Sequence, residues 1–247
     1  MAFSVPTSWR DLTPQQLRMV FRLMWLYWQY PDWEDRVKMA ALLQFCHIEV
    51  VDHTDGGWLC REQTKGREFL LDSELLPSML STVDWVVQTD SIDVRIGRVG
   101  DCVAVDFELR ELMFGDYIMC DNYYQAFLQT KDERHLLSMA RLLYRVPEGR
   151  ELFIEPDVLM GVFLWFNGAK RVLSQAFPHF LKPAGSGGGN VTMEGLRDSA
   201  RAQIRSLTKG DVTKQDYILN KTDTWTALGE LDALAMEAEE IKRKYGK

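Results

Sequence analysis

Leu109–Arg110–Glu111–Leu112–Met113–Phe114–Gly115–Asp116–Tyr117–Ile118–Met119–Cys120–Asp121–Asn122–Tyr123–Tyr124–Gln125–Ala126–Phe127–Leu128 runs on into Gln129–Thr130–Lys131–Asp132–Glu133–Arg134 near the middle of the chain. Leu109, Met113, Tyr117, Cys120, Tyr124 and Phe127 recur at steps of three and four, the spacing of one buried helical stripe. Lys131 to Arg134 is a polar break, after which Leu136, Leu137, Ala140, Leu143 and Tyr144 resume the pattern. The spacing predicts a helical hairpin from Leu109 to Tyr144 through the core, with the helices over Thr13–Tyr30 and Val158–Phe177 packed against it.

The flanks extend this reading. Thr13–Pro14–Gln15–Gln16–Leu17 is a helix start: Thr13 can accept a backbone N–H, and Pro14 loses nothing at the first helical position. That helix should end before Pro31, and a second should run from Trp33 to Phe45. The period then changes. Ile48–Asp52 and Trp58–Cys60 read as strands around the Asp55–Gly56–Gly57 turn, with Glu68–Leu71 as a third strand. Asp72 or Ser73 should cap a helix reaching about Val87, although Pro77 would fall in its second turn. Val94–Val105, broken by Gly97 and Gly100, is extended in character. Glu155–Pro156–Asp157 opens an apolar helix ending near Phe177–Pro178.

Pro183–Ala184–Gly185–Ser186–Gly187–Gly188–Gly189 is the clearest boundary, because so many glycines in so few residues favour a flexible tether. Beyond it, helical segments are expected over Thr192–Lys209, Thr213–Leu219 and Thr222–Tyr245. The fold class is therefore mainly α (α+β): a helical core domain over 1–182 with a β-hairpin or three-stranded sheet near 48–71, a linker at 183–189, and a helical C-terminal segment over 190–247.

Of the 247 residues, 46% are hydrophobic, enough for one full-sized core or two small ones. The net charge is −7, which disfavours non-specific binding to nucleic acid or to an anionic membrane. The segment from Asn190 onward carries ten basic and ten acidic residues, so the whole acidic excess lies before it. The longest apolar run, Val158–Phe166, falls well short of the ~20 residues that span a bilayer. With no secretion signal and no Cys-x-x-Cys pair, reduced thiols and a cytoplasmic location are expected.

Several clusters bear on chemistry. Cys46, His47, His53 and Cys60 fall around the predicted hairpin and offer thiolates and imidazoles to a metal, but in no familiar zinc spacing. Glu108, Glu111, Asp116 and Asp121 are carboxylates on or beside the central helix, either an acid–base set or a solvated face. Arg197, Arg201, Arg205 and Lys209 recur every fourth residue, a basic stripe without interleaved aromatics, read chiefly as a solvated helix face. Phosphate-loop, nucleophile-elbow and His-Glu-x-x-His motifs do not occur, so no catalytic residue and no cofactor is expected. Asp121, Asn122 and Tyr123 form a polar and aromatic insertion in an apolar helix, a candidate contact surface. Trp225, Leu228, Leu231, Leu234 and Ile241 trace a short seam on the last helix. With nothing local to bury it, that seam should dock on the main domain, self-associate or capture a partner.

Ser8–Trp9–Arg10–Asp11–Leu12–Thr13–Pro14–Gln15–Gln16–Leu17, Asp121–Asn122–Tyr123–Tyr124–Gln125–Ala126–Phe127–Leu128 and Asp223–Thr224–Trp225–Thr226–Ala227–Leu228–Gly229–Glu230–Leu231–Asp232–Ala233 resemble an uncharacterised family encoded in prophage and other mobile-element clusters of Bacteroides-type bacteria. The resemblance implies phage morphogenesis: a tail assembly chaperone in the host cytoplasm, binding tape-measure or tail-tube proteins. A virion structural subunit and a mobile-element enzyme or nucleic-acid-binding protein are the alternatives. The motifs are structural, so the resemblance carries no functional residue over.

Overall fold

The computed structural model describes residues 5–150, 153–181 and 193–245. The chain is mainly α-helical with a small β part: nine α-helices, one three-stranded sheet and one two-stranded ribbon among the described residues. The proposed 183–189 linker lies outside the described residues. The described residues divide into two compact units, one drawn from 5–96 and 155–164, the other from 97–150, 153–154, 165–181 and 193–245.

In the first unit, α1 spans Pro14–Tyr27 and α2 Trp33–Phe45. Thr13 caps α1 as its sequence predicts: its hydroxyl accepts the Gln16 N–H at 3.2 Å, and the Gln16 side chain accepts the Thr13 N–H at 3.0 Å. The sheet follows as an antiparallel meander of β1 (Ile48–Thr54), β2 (Gly57–Glu62) and β3 (Glu68–Asp72). Thr54 pairs with Gly57 across the Asp55–Gly56 turn, and a bulge interrupts β1 between Val50 and Asp52. Gly57 is obligatory: its φ is +148°, and a Cβ there would lie 2.1 Å from the Leu71 carbonyl oxygen.

The helix expected from Asp72 to Val87 is shorter. α3 covers Leu76–Ser81, and a 3₁₀ turn covers Asp84–Val87. Pro77 sits in the first turn, where its missing N–H costs nothing, so the helix starts later than the Asp72 or Ser73 cap implied. Trp85 packs edge-on against Trp9 at 5.3 Å and stacks on Phe45 at 6.5 Å. The first part of α6 (Pro156–Ala176), through Leu164, completes this unit. There the fully buried Asp157 accepts a hydrogen bond from Arg18 at 2.8 Å, while Gly161 leaves room for the Phe21 ring.

The second unit holds the central hairpin. α4 spans Phe114–Thr130 and α5 Glu133–Leu143, with β4 (Arg98–Val99) and β5 (Cys102–Val103) as a ribbon before them. Lys131 closes α4 in the left-handed conformation, and the Asp132 carboxylate caps α5 by accepting the Arg134 N–H. The hairpin therefore exists, but it begins at Phe114 rather than Leu109. Leu109 has φ +61° and Met113 is 36% exposed, so neither belongs to the helical stripe. The Asp106 carboxylate accepts the N–H groups of Glu108 and Glu111, which holds this segment as a loop. α6 contributes Trp165 to Ala176 to this unit, and the Trp165 indole N–H donates to the Phe107 carbonyl at 2.9 Å. The Thr13–Tyr30 helix, expected against the hairpin, is part of the other unit.

Candidate partner-binding site

α7 (Met193–Thr208), α8 (Gln215–Lys221) and α9 (Thr224–Tyr245) share the second unit with the hairpin. The start of α9 is tied to the loop before α4. The Phe114 N–H donates to the Thr222 carbonyl at 2.9 Å, and the Thr224 N–H and hydroxyl both donate to the Leu112 carbonyl, at 2.9 and 2.8 Å. The Trp225 indole N–H donates to the Glu108 carbonyl at 2.7 Å. The Trp225 ring lies beneath the Arg110 guanidinium at 3.6 Å and meets the Phe177 ring edge-on at 5.1 Å.

Asp223 caps α9 by accepting the Thr226 N–H at 2.9 Å. Burial alone would raise the Asp223 pKa, but the hydrogen bonds from Thr226 and nearby backbone outweigh it and hold the carboxyl below its usual range. One turn beyond Leu228, Asp232 accepts the backbone N–H groups of His179 and Phe180 at 2.7 and 2.9 Å. Glu239 then meets the His179 ring at 3.0 Å.

These bonds change the reading of the seam. Leu228 and Leu231 are buried at 0% and 4% exposure, and Trp225 is half-buried. The premise that nothing local covers the seam is therefore corrected for its first half, which docks within the unit through pairing of distant chain segments. The second half is less covered. Leu234 is half-buried, and Met236, Ile241 and Tyr245 are exposed at 43%, 59% and 81%. Lys242, Arg243 and Lys244 occupy the last turn, where cations complement the helix dipole.

Asp121, Asn122 and Tyr123 lie together on α4, all half-buried. The Asp121 carboxylate forms an ion pair with the Lys170 ammonium of α6. The neighbouring Tyr124 hydroxyl donates to Asn167 at 2.9 Å, and Lys170 also sits 5.4 Å over the Tyr124 ring. Tyr123 stacks on His135 of α5 at 6.2 Å. The sequence reading missed Lys170 and Asn167. Their signal was present: two polar residues three apart on one face of an otherwise apolar helix. Asp121 and Asn122 line a cavity whose described lining includes no residue of α9.

The remaining clusters disperse. Cys46 and Cys60 are buried, burial raises both thiol pKa values, and His47 and His53 are exposed. Among the described residues no group of three or more His, Cys, Asp or Glu side chains could hold a metal ion. Glu108 pairs with Arg110 at 2.7 Å and Glu111 with Arg145 at 3.0 Å, while burial raises the pKa of Asp116 against the opposing charge of Arg145. Arg197, Arg201, Arg205 and Lys209 are all exposed, with Arg201 3.4 Å from Asp198. Among the described residues no helix is long and apolar enough to cross a membrane. No family model matches the chain, and no curated protein or solved structure is significantly similar to it.

Proposed function

We propose that this chain is a protein-binding factor of phage morphogenesis, a tail assembly chaperone that presents the last turns of α9 to a tape-measure or tail-tube partner in the host cytoplasm. The observation that supports this reading is the change along α9. Its apolar residues are buried or half-buried from Trp225 to Leu234 and then continue, at helical spacing, to the exposed Ile241 and Tyr245. An apolar stripe on a helix already folded by its own docking binds without the cost of ordering a free segment. Flanking Glu237, Glu239 and Glu240 and the Lys242–Lys244 cations supply a polar rim.

Co-expression with the tape-measure protein of the same gene cluster tests the reading. A double variant, Ile241→Asp with Tyr245→Ser, should lose co-purification while keeping the circular dichroism and unfolding midpoint of the parent. Retention of the partner by a folded double variant would overturn the assignment.

A further inference from the structure

A cavity of about 290 Å³ opens between α4, α6, the turn after α6, and α7, wholly inside the second unit. Its polar wall is made by Tyr117, Asp121 and Asn122 of α4, Lys170 of α6, and Ser199 and Gln203 of α7. Two of these side chains have hydrogen-bonding capacity that the fold leaves unused. Tyr117 is 5% exposed, yet its hydroxyl has no hydrogen-bond partner among the described residues; the ring itself packs on Phe114 and Phe166. Asn122 is half-buried, and its amide likewise makes no hydrogen bond among the described residues.

Leaving a largely buried hydroxyl unpaired forfeits its hydration without a compensating hydrogen bond, so a native fold that does so generally has a use for it. Tyr117 is nevertheless part of the wall of an open cavity and not of a sealed core. Burial, reinforced by the negative charge of Asp121, pushes its pKa up. The phenol therefore remains a proton donor throughout the physiological range.

The chemistry of the wall narrows the ligand. Lys170 and Asp121 pair with each other, so the cavity presents both signs but no net charge, which disfavours a strongly charged occupant. Ammonium, carboxylate, phenol and two carboxamides together mix donors with acceptors at close range. Adjacent hydroxyl groups answer that pattern, since each can donate and accept. Phe180 and Leu181 supply an apolar strip on the same cavity, suited to the C–H face of a sugar ring.

We infer that this cavity is a binding site for a small uncharged polyol of monosaccharide size, held by the Tyr117 hydroxyl, the Asn122 amide and the Asp121–Lys170 pair. The site is independent of the exposed end of α9.

Calorimetric titration of the full chain with glucose, galactose, N-acetylglucosamine and myo-inositol, and separately with inorganic phosphate, tests this. At least one of the four should bind saturably with one-to-one stoichiometry at millimolar or tighter affinity. Tyr117→Phe, which keeps the ring packing, should weaken that binding about tenfold, the worth of one well-placed hydrogen bond. Asn122→Ala should weaken it comparably. Ile241→Asp should leave it unchanged, which separates this site from the partner surface. Absence of saturable binding by all four polyols, saturation by phosphate alone, or undiminished binding by a folded Tyr117→Phe variant would each overturn the inference.

Discussion

Truncating Leu228 to Ala separates a docked C-terminal helix from a trailing one. Leu228 is fully buried, so the change removes three carbons from the interior of the second unit. At about 0.8 kcal/mol per buried carbon, the transfer loss alone is about 2.4 kcal/mol. Incomplete collapse of the cavity left behind raises the total to about 3–4 kcal/mol. Ile241→Ala on the same helix provides the internal control: Ile241 is 59% exposed, and its truncation should cost no more than about 0.5 kcal/mol. Urea unfolding followed by tryptophan fluorescence reads both variants, because Trp165 and Trp225 report from the same unit. The two midpoints should separate widely at similar slope. If Leu228→Ala costs less than about 1 kcal/mol at unchanged slope, or if the two variants shift alike, the docking of α9 described above is refuted.

Gly115→Ala should destabilise by about 1 kcal/mol despite the better helix propensity of alanine, because its Cβ would lie 2.9 Å from the Leu219 carbonyl oxygen of α8; a variant more stable in urea than the parent contradicts that close approach. Arg18→Met should cost about 2 kcal/mol in thermal unfolding, less than a fully buried pair would lose, because Arg18 keeps a third of its side chain in water and Arg22 stays 3.6 Å from Asp157. An unchanged melting temperature would count against a stabilising contact between Arg18 and Asp157. The Asp132 carboxyl is held down at about 2, chiefly by its hydrogen bonds with Arg134. A carboxyl depressed in the folded state stabilises the fold above its unfolded pKa of about 3.9, and that contribution disappears as pH falls through about 2. Carboxyl-carbon NMR titration should place its midpoint near 2, and a midpoint near 4 would remove the cap from the account of α5.

What could be read from the residues alone was local. The Thr13 capping pattern, the Asp55–Gly56–Gly57 turn and the Trp33–Phe45 helix are each decided by neighbours within a few positions, and they stand where the sequence puts them. The start of α4 was illegible because Leu109 and Leu112 are as buried as any helical stripe while belonging to a loop. That loop is held by Asp106 beside it and by Thr222–Trp225 more than a hundred positions away, a pairing to which periodicity is blind. The same limit governs the candidate sites. Asp121 stood out by its polarity, but the lysine that answers it lies on another helix. Tyr117 fitted the core stripe so well that the loneliness of its hydroxyl could be seen only in three dimensions.

The bonds that hold α9 have a topological consequence. They run to residues 108–114 and 179–180, all of which precede Pro183, so the helix is secured by contacts and not only by its covalent link. A chain severed within 183–189 would keep the piece that carries α7, α8 and α9 bound through these contacts. By the same reasoning the receiving surface does not distinguish its own α9 from that of a neighbouring copy. At high concentration, reciprocal exchange of this helix offers a route to intertwined dimers that form no new contact and lose none.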